Sequence, residues 1–304
     1  MRYRPFGRSG MALSTVGLRL SWDTFNKNRN TASALMTAAL ENGINTFHFD
    51  TTDLELLKLA AEVFSVVDRK LLFIGCTAHG RTIDGPATSY ELTPLRSRLK
   101  GAIKESGLMW LDMLAFERPI NYVLPEDSRA FLRSLKEARM LRYTCATVDV
   151  ADMDEVIMSG DFNVIDTRFD LDTSWDKRNL MDKAVASDMC VLARDYYPDA
   201  YKKASDLMPA DGKKSWFFKK PENPLTGAGT YAFLHQTPDW TAEELCLSYA
   251  LHQTAISCVL IEPKSVDQLE LLAQVPERHM PSSVPAQIEM ARFTEHGPKN
   301  RVKA

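Results

Sequence analysis

His48 and Asp50 stand two residues apart in the run Gly43-Ile44-Asn45-Thr46-Phe47-His48-Phe49-Asp50-Thr51-Thr52-Asp53. Ile44, Thr46, Phe47 and Phe49 suit a strand, and on a strand His48 and Asp50 share one face. Both are residue types that carry protons in catalysis. The polar residues arrive where the strand runs out, and in a parallel α/β protein the chemistry gathers at that end. Other chemistries find little support. Cys76, Cys145, Cys190, Cys246 and Cys258 form no CxxC pair. Four of them lie in apolar strand-like runs and Cys246 in a helix-like one, so buried reduced thiols are expected, not a metal site or a disulfide framework. The six histidines show no HxxxH spacing, so no zinc motif is present.

The elements that must position His48 and Asp50 follow from periodicity. Asn42-Gly43 is a helix stop, with Gly43 in the left-handed position after the last turn. Short apolar runs alternate with amphipathic stretches of helical length. Strands are expected at 14–20, 43–49, 70–76, 110–116, 141–147, 162–168, 188–194 and 256–261. Helices are expected at 30–42, 54–66, 91–106, 126–138, 151–158, 176–187, 241–253 and 265–273. Continuous apolar strands alternating strictly with helices imply a parallel sheet buried on both faces. Eight such units predict an α/β fold of the (β/α)8 TIM-barrel type. No GxGxxG follows the first strand, which argues against a Rossmann domain.

Three segments stand outside this beat. Phe6-Gly7-Arg8-Ser9-Gly10 reads as the turn of a short N-terminal hairpin. Residues 195–240 form a long loop after strand 7, with a basic-aromatic knot at 213–220 and a Gly-rich piece at 224–229. Residues 276–304 read as a C-terminal extension, helical over 286–293 and mobile elsewhere. The whole of 1–304 is expected to form a single barrel.

With 304 residues, 45% hydrophobic and 25% charged, the composition is that of a soluble globular chain. A net charge of -3 and a pI near 6.1 exclude bulk nucleic-acid or membrane-surface binding as the organising function. No apolar run approaches the roughly 20 residues of a membrane span, and the N-terminus lacks the apolar core of a signal peptide. A cytoplasmic location without membrane insertion is the expectation.

On these residues the chain resembles the aldo-keto reductase superfamily over nearly its whole length. Phe6-Gly7-Arg8-Ser9-Gly10 with Leu13-Ser14 and Val16-Gly17-Leu18 is similar to the family's hairpin and first strand. Ala39-Leu40-Glu41-Asn42-Gly43-Ile44-Asn45 is similar to its helix into the second strand, and Leu111-Asp112-Met113-Leu114 to its fourth strand. Val259 to Gln268 is similar to the nucleotide-binding end of its eighth. The resemblance implies carbonyl reduction with NADPH or NADH by an Asp, Tyr, Lys and His tetrad. Carried over, the Asp position holds His48 when Gly43-Ile44-Asn45 anchors the strand, or Asp50 when Phe49-Asp50-Thr51 does. The Tyr position is then Asp53 or Glu55, the Lys position Thr77 and the His position Glu117. The tetrad is therefore degenerate. General acid catalysis supplies roughly a hundred- to ten-thousand-fold, so losing acid and tuner together removes the family reaction. His48 is expected to line the barrel, and Glu117 to pair with Arg142 or Arg118; the alternative is an acid–base pair of His48 with Glu117.

The resemblance also implies a cofactor site for NAD(H), with NADP(H) as the other candidate. Lys264, Ser265 and Gln268 would meet the adenosine end, where a helix N-terminus suits phosphate. Thr147, Asp166 and Arg194 would meet the nicotinamide end. Two functions follow. One is a pseudoenzyme that binds NAD(H) and regulates protein partners, as in the KidO-type bacterial regulators. That likeness implies the division protein FtsZ and the histidine kinase DivJ as partners, with Trp216, Phe217 and Phe218 as a docking surface or folded over the barrel mouth. The other is an active enzyme, either a lyase or isomerase using His48 and Glu117 or a reductase rescued by Tyr196 or Tyr197.

Overall fold

The chain punctuates itself as its sequence predicts. The first helix, α1 (Arg29–Glu41), begins on Asn28, whose side chain accepts from the backbone N–H groups of Asn30 and Thr31. It ends at Gly43 with φ +78°, a left-handed position that glycine takes without a Cβ clash. The computed structural model describes residues 1–22, 27–79, 81–83, 87–119, 123–198 and 229–296.

Strands β3 (Val16–Leu20), β4 (Thr46–Phe49), β5 (Phe73–Ala78), β8 (Leu111–Glu117), β9 (Leu141–Thr147), β10 (Val164–Arg168), β11 (Cys190–Arg194) and β12 (Ile256–Ile261) close into one parallel barrel. These are the eight strands expected, each within a few residues of the predicted bounds. The helices fall between them: α2 (Leu54–Phe64), α3 (Leu92–Lys100), α4 (Glu126–Glu137), α5 (Met153–Ser159), α6 (Trp175–Ala186), α7 (Ala242–His252) and α8 (Val266–Gln274). The expected helix 91–106 is divided: α3 passes into a π turn at Gly101–Glu105. A second hairpin, β6 (Arg81–Ile83) with β7 (Ala87–Ser89), was not expected.

The N-terminal hairpin pairs β1 (Tyr3–Pro5) with β2 (Ala12–Ser14). Its tip drops Phe6 into the barrel floor, edge-on to Phe73 at 4.9 Å and Tyr143 at 5.1 Å between ring centroids. Around Phe6 gather Leu13, Met113, Cys145, Val164, Leu192, Cys258 and Leu260, the interior layers of the barrel. The larger apolar cluster lies between strands and helices. All five cysteines are free and buried, in the strands and the helix expected.

Asp112 shows why the Leu111-Asp112-Met113-Leu114 pattern matters structurally. Its carboxylate is fully buried. It bonds Arg69 Nη1 (2.9 Å), Arg142 Nη1 (2.9 Å), the Ile74 backbone N–H (2.9 Å) and Trp110 Nε1 (3.2 Å). Burial of a charge is tolerated only with such partners.

The C-terminal extension is more ordered than expected up to residue 296. Helix α9 (Ser283–His296) is longer than the expected 286–293 and buries Val284, Ile288 and Ala291. Glu289 accepts from Tyr249 Oη at 2.7 Å, and Arg292 reaches the Thr173 carbonyl. Residues 297–304, the 213–220 knot with its three aromatics, and 224–228 of the Gly-rich piece lie outside the described residues. No helix among the described residues is long and apolar enough to cross a membrane.

Candidate functional site at the barrel mouth

Alternate residues along a barrel strand face the lumen. Counting by twos from the interior cluster places Thr77, Glu117, Thr147, Asp166, Arg194 and Glu262 on the inner face at the C-terminal end, and register with Gly75 adds His48, with Arg19 beside it. Asp50 follows the end of β4. The resemblance thus brings six of its assigned positions together at one mouth: His48, Thr77, Glu117, Thr147, Asp166 and Arg194.

The site is a partly buried charge network, with Asp166 at its most enclosed point. Arg19 bonds Asp50 through Nε at 2.7 Å and Glu262 through Nη1 at 2.7 Å, with Asp195 3.9 Å away. Burial works against the Arg19 charge, and the Asp50 and Glu262 carboxylates overcome it and raise the guanidinium pKa further. Arg194 bonds Asp195 at 2.5 Å and lies 3.4 Å from Asp166 Oδ1. Burial pushes the Asp166 carboxyl up to about 6 although Arg194 and Arg19 pull it down. Thr147 Oγ1 sits 3.4 Å from Asp166 Oδ2.

His48 is 2% exposed. Its Nε2 shares a 2.9 Å hydrogen bond with Thr77 and lies 3.6 Å from Asp50 Oδ1. Burial brings its pKa down to about 4 despite Asp50, so the ring is neutral at pH 7. Its Nδ1 has no partner. An Nε2–H tautomer, directed at Thr77 and Asp50, leaves only a lone pair unmatched at Nδ1. Gly75 makes room for this ring, since a Cβ there would lie 2.9 Å from both His48 Nδ1 and Met113 Cε. Gly75→Ala should therefore displace the imidazole and cost about 1–3 kcal/mol of stability. Urea denaturation reads the cost, and the ring's ¹⁵N NMR shifts read the displacement.

Two of the four tetrad positions take no part in the charge network. Asp53 caps α2, accepting from the Glu55 and Leu56 backbone N–H groups at 3.1 Å and from Trp22 Nε1 at 2.8 Å. Glu55, its alternative, faces Arg29 at 3.6 Å. The expectations for Glu117 are corrected. Arg142 pairs with Asp112, not with Glu117. His48 and Glu117 form no acid–base pair: the partners of His48 among the described residues are Thr77 and Asp50, and no hydrogen bond or ion pair joins it to Glu117, whose side chain is exposed. The Glu117 backbone is instead held by the Tyr90 hydroxyl. Tyr196 is no substitute acid. It donates to Glu243 Oε1 at 2.9 Å, and burial together with Glu243 drives its phenol well above the ordinary range.

From the mouth a groove runs outward. A cleft of about 270 Å³ touches Arg168, Asp195, Tyr197, Glu243 and Glu262, and a second of about 570 Å³ shares Tyr197 and Glu243 and reaches Gln268. Gln268 accepts from the Lys264 backbone N–H (2.9 Å) and donates to Glu243 Oε2 (2.8 Å), while Ser265 caps α8 by accepting from the Gln268 N–H. Sequence reasoning missed Arg19, Asp195 and Glu243. Arg19 had a visible signal: a lone charge inside the apolar strand Val16–Leu20.

The fold is that of an aldo-keto reductase barrel. A solved structure described as the aldo-keto reductase AKR11C1 from Bacillus halodurans (holo form) superimposes with a TM-score of 0.72. The match covers 96% of this chain and 96% of that one at 14% identity, so the likeness lies in the fold alone. No protein-family model and no curated protein matches the sequence.

Proposed function

We propose that this barrel binds NAD(H) without reducing carbonyls and acts as a regulator through protein partners. The observation that carries the reading is Asp53. The position the resemblance gives to the phenol is held by a carboxylate committed to capping α2 and bonding Trp22. The lysine position is Thr77, a hydroxyl committed to His48.

The residues present fit a nicotinamide dinucleotide. Asp166 Oδ1, which accepts no hydrogen bond although Arg194 lies 3.4 Å away, matches a carboxamide N–H, with Thr147 beside it. For the adenosine, Gln268 lines the far end of the groove, and Lys264 and Ser265 stand with it at the start of α8. When bound, the cofactor would supply a hydride-bearing ring at the mouth; the chain's own contribution is to orient that ring and keep His48 neutral beneath it. Glu243, tied to Gln268, suits ribose hydroxyls and opposes an added 2′-phosphate, so NAD(H) is favoured over NADP(H). The KidO-type likeness supplies the partner classes: the division protein FtsZ and the histidine kinase DivJ.

Fluorescence titration should give saturable NADH binding, at least tenfold weaker binding of NADPH, and no NADH oxidation across a broad aldehyde and ketone panel. Turnover that His48→Ala abolishes would overturn the regulator reading. For the partner half, light scattering of purified FtsZ should change on adding this protein with NADH, and DivJ autophosphorylation should fall. No change in either assay sinks those partners.

A further inference from the structure

We infer that a second cavity, at the opposite end of the barrel from the mouth, binds a phosphate-bearing small anion. This cavity of about 340 Å³ lies between the N-terminal hairpin, the C-terminal end of α7 and the segment after α8. Arg2, Arg4, Thr15, His252, Arg278 and His279 line it. Its size falls in the range of small-molecule sites, roughly 300–1,000 Å³.

The wall is cationic beyond its own neutralisation. Arg278 is paired with Glu244 and stacked over Trp240 at 3.8 Å. Arg2 faces Glu277 at 3.6 Å, a carboxylate it shares with the Met1 amino group. Arg4 has no carboxylate within ion-pair distance among the described residues. Its guanidinium is clamped by the carbonyls of Leu251, Gln253 and Ile256. Those three bonds leave two of the five N–H donors unspent, on a group whose position is fixed. Burial lowers the Arg4 pKa, so the site bears the cost of an unpaired cation that a bound anion would relieve.

A second feature points to a ligand independently of the charge. The Thr15 hydroxyl is a buried atom without a partner, on a residue 4% exposed. Both Thr15 backbone groups are engaged, the N–H with Arg2 O at 2.9 Å and the C=O with the Val259 N–H at 2.8 Å. Thr15 is one of the residues lining the cavity, and its hydroxyl's bonding capacity is unused, which is rare for a buried polar group. His252 donates Nδ1–H to the Ser248 carbonyl at 2.6 Å, so its Nε2 can donate to an anion only as an imidazolium, and the arginines are the cavity's standing donors. A tetrahedral phosphate accepts from several directions at once, and a guanidinium fork matches it.

Isothermal titration of the full chain with pyrophosphate, at low ionic strength in a phosphate-free buffer, tests the site. Saturable one-to-one binding is expected, unchanged when NADH is saturating. The exposed double variant Arg2→Ala/His279→Ala should bind at least tenfold more weakly with an unchanged circular dichroism spectrum. Thr15→Val, which fills the same volume, should weaken binding severalfold without lowering the melting temperature. The inference is overturned by absent binding, by equal affinity in wild type and the double variant, or by competition from NADH. Citrate binding as tightly as pyrophosphate overturns the assignment to phosphate.

Discussion

Arg19→Met should lower the unfolding free energy by about 1.5–3 kcal/mol at pH 7, the range of a charge-assisted hydrogen bond, because its carboxylate partners are only partly buried. Arg19 is the cation that Asp50 and Glu262 both bond, and Asp195 lies within ion-pair reach. Without it the mouth keeps its carboxylates and loses their shared counter-charge. The deficit should also depend on pH. Burial already holds the Glu262 carboxyl above its ordinary value while Arg19 pulls it down; removing Arg19 sends it higher. A carboxyl raised in the folded state favours folding at low pH, and that contribution is lost as pH rises through its folded pKa. The variant should therefore approach wild type on acidification and fall furthest behind above neutrality. Urea denaturation across pH 4–8 checks this. A deficit below 1 kcal/mol, level with pH, would mean the network is hydrated and weak.

The second large effect is hidden in the wild type. His48 has its pKa depressed from 6.5 to about 4, first by burial, and Asp166 has its pKa raised from 3.8 to about 6, also by burial. Each shift corresponds to about 3 kcal/mol. Their signs oppose. Neutral His48 contributes stability above the unfolded value of 6.5, and this is lost as pH falls through about 4. Protonated Asp166 contributes stability below 3.8, and this is lost as pH rises through about 6. Over the shared window the folded and unfolded chains bind the same number of protons at these two sites: unfolding moves one from the carboxyl to the imidazole. Neither group is a cause of the other's shift, so each can be unmasked alone. Relative to wild type, Asp166→Asn should gain stability as pH rises from 4 to 6. Over the same range His48→Gln should lose it. Parallel curves for both variants and wild type would show that these two groups are not desolvated.

Much of the barrel was legible because its signals are local. Eight apolar runs, their spacing and Gly43 as a helix stop need no knowledge of the fold beyond periodicity. Inward-facing positions such as Thr147 and Arg194 came from the resemblance, and strand parity supports them. What was not legible depends on register between strands far apart in the chain. Arg142 was expected at Glu117, but the β8–β9 pairing sets Leu141 against Leu111 and so brings Arg142 to Asp112. The His48–Glu117 pair failed because His48 is spent on Thr77 from the neighbouring strand and lies beside Asp50. Asp53 is a different case. A carboxylate ahead of Leu54-Glu55-Leu56-Leu57 is a helix-cap signal, and that capping role was readable but went unread.

Phe6 and the β12–β3 seam carry a consequence for how the chain is made. The seam pairs Val259 with Val16 and Ile261 with Leu18, so the first barrel strand waits for a partner about 240 residues downstream, a separation that slows folding. At synthesis rates of roughly 5–20 residues per second, β12 emerges about 12–50 seconds after β3. Throughout that interval one edge of β3 is unpaired, and the floor closed by Phe6 lacks Cys258 and Leu260. The nascent protein is thus an open, edge-exposed sheet for most of its synthesis. Production in cells should respond more to translation speed and chaperone supply than its equilibrium stability alone would suggest.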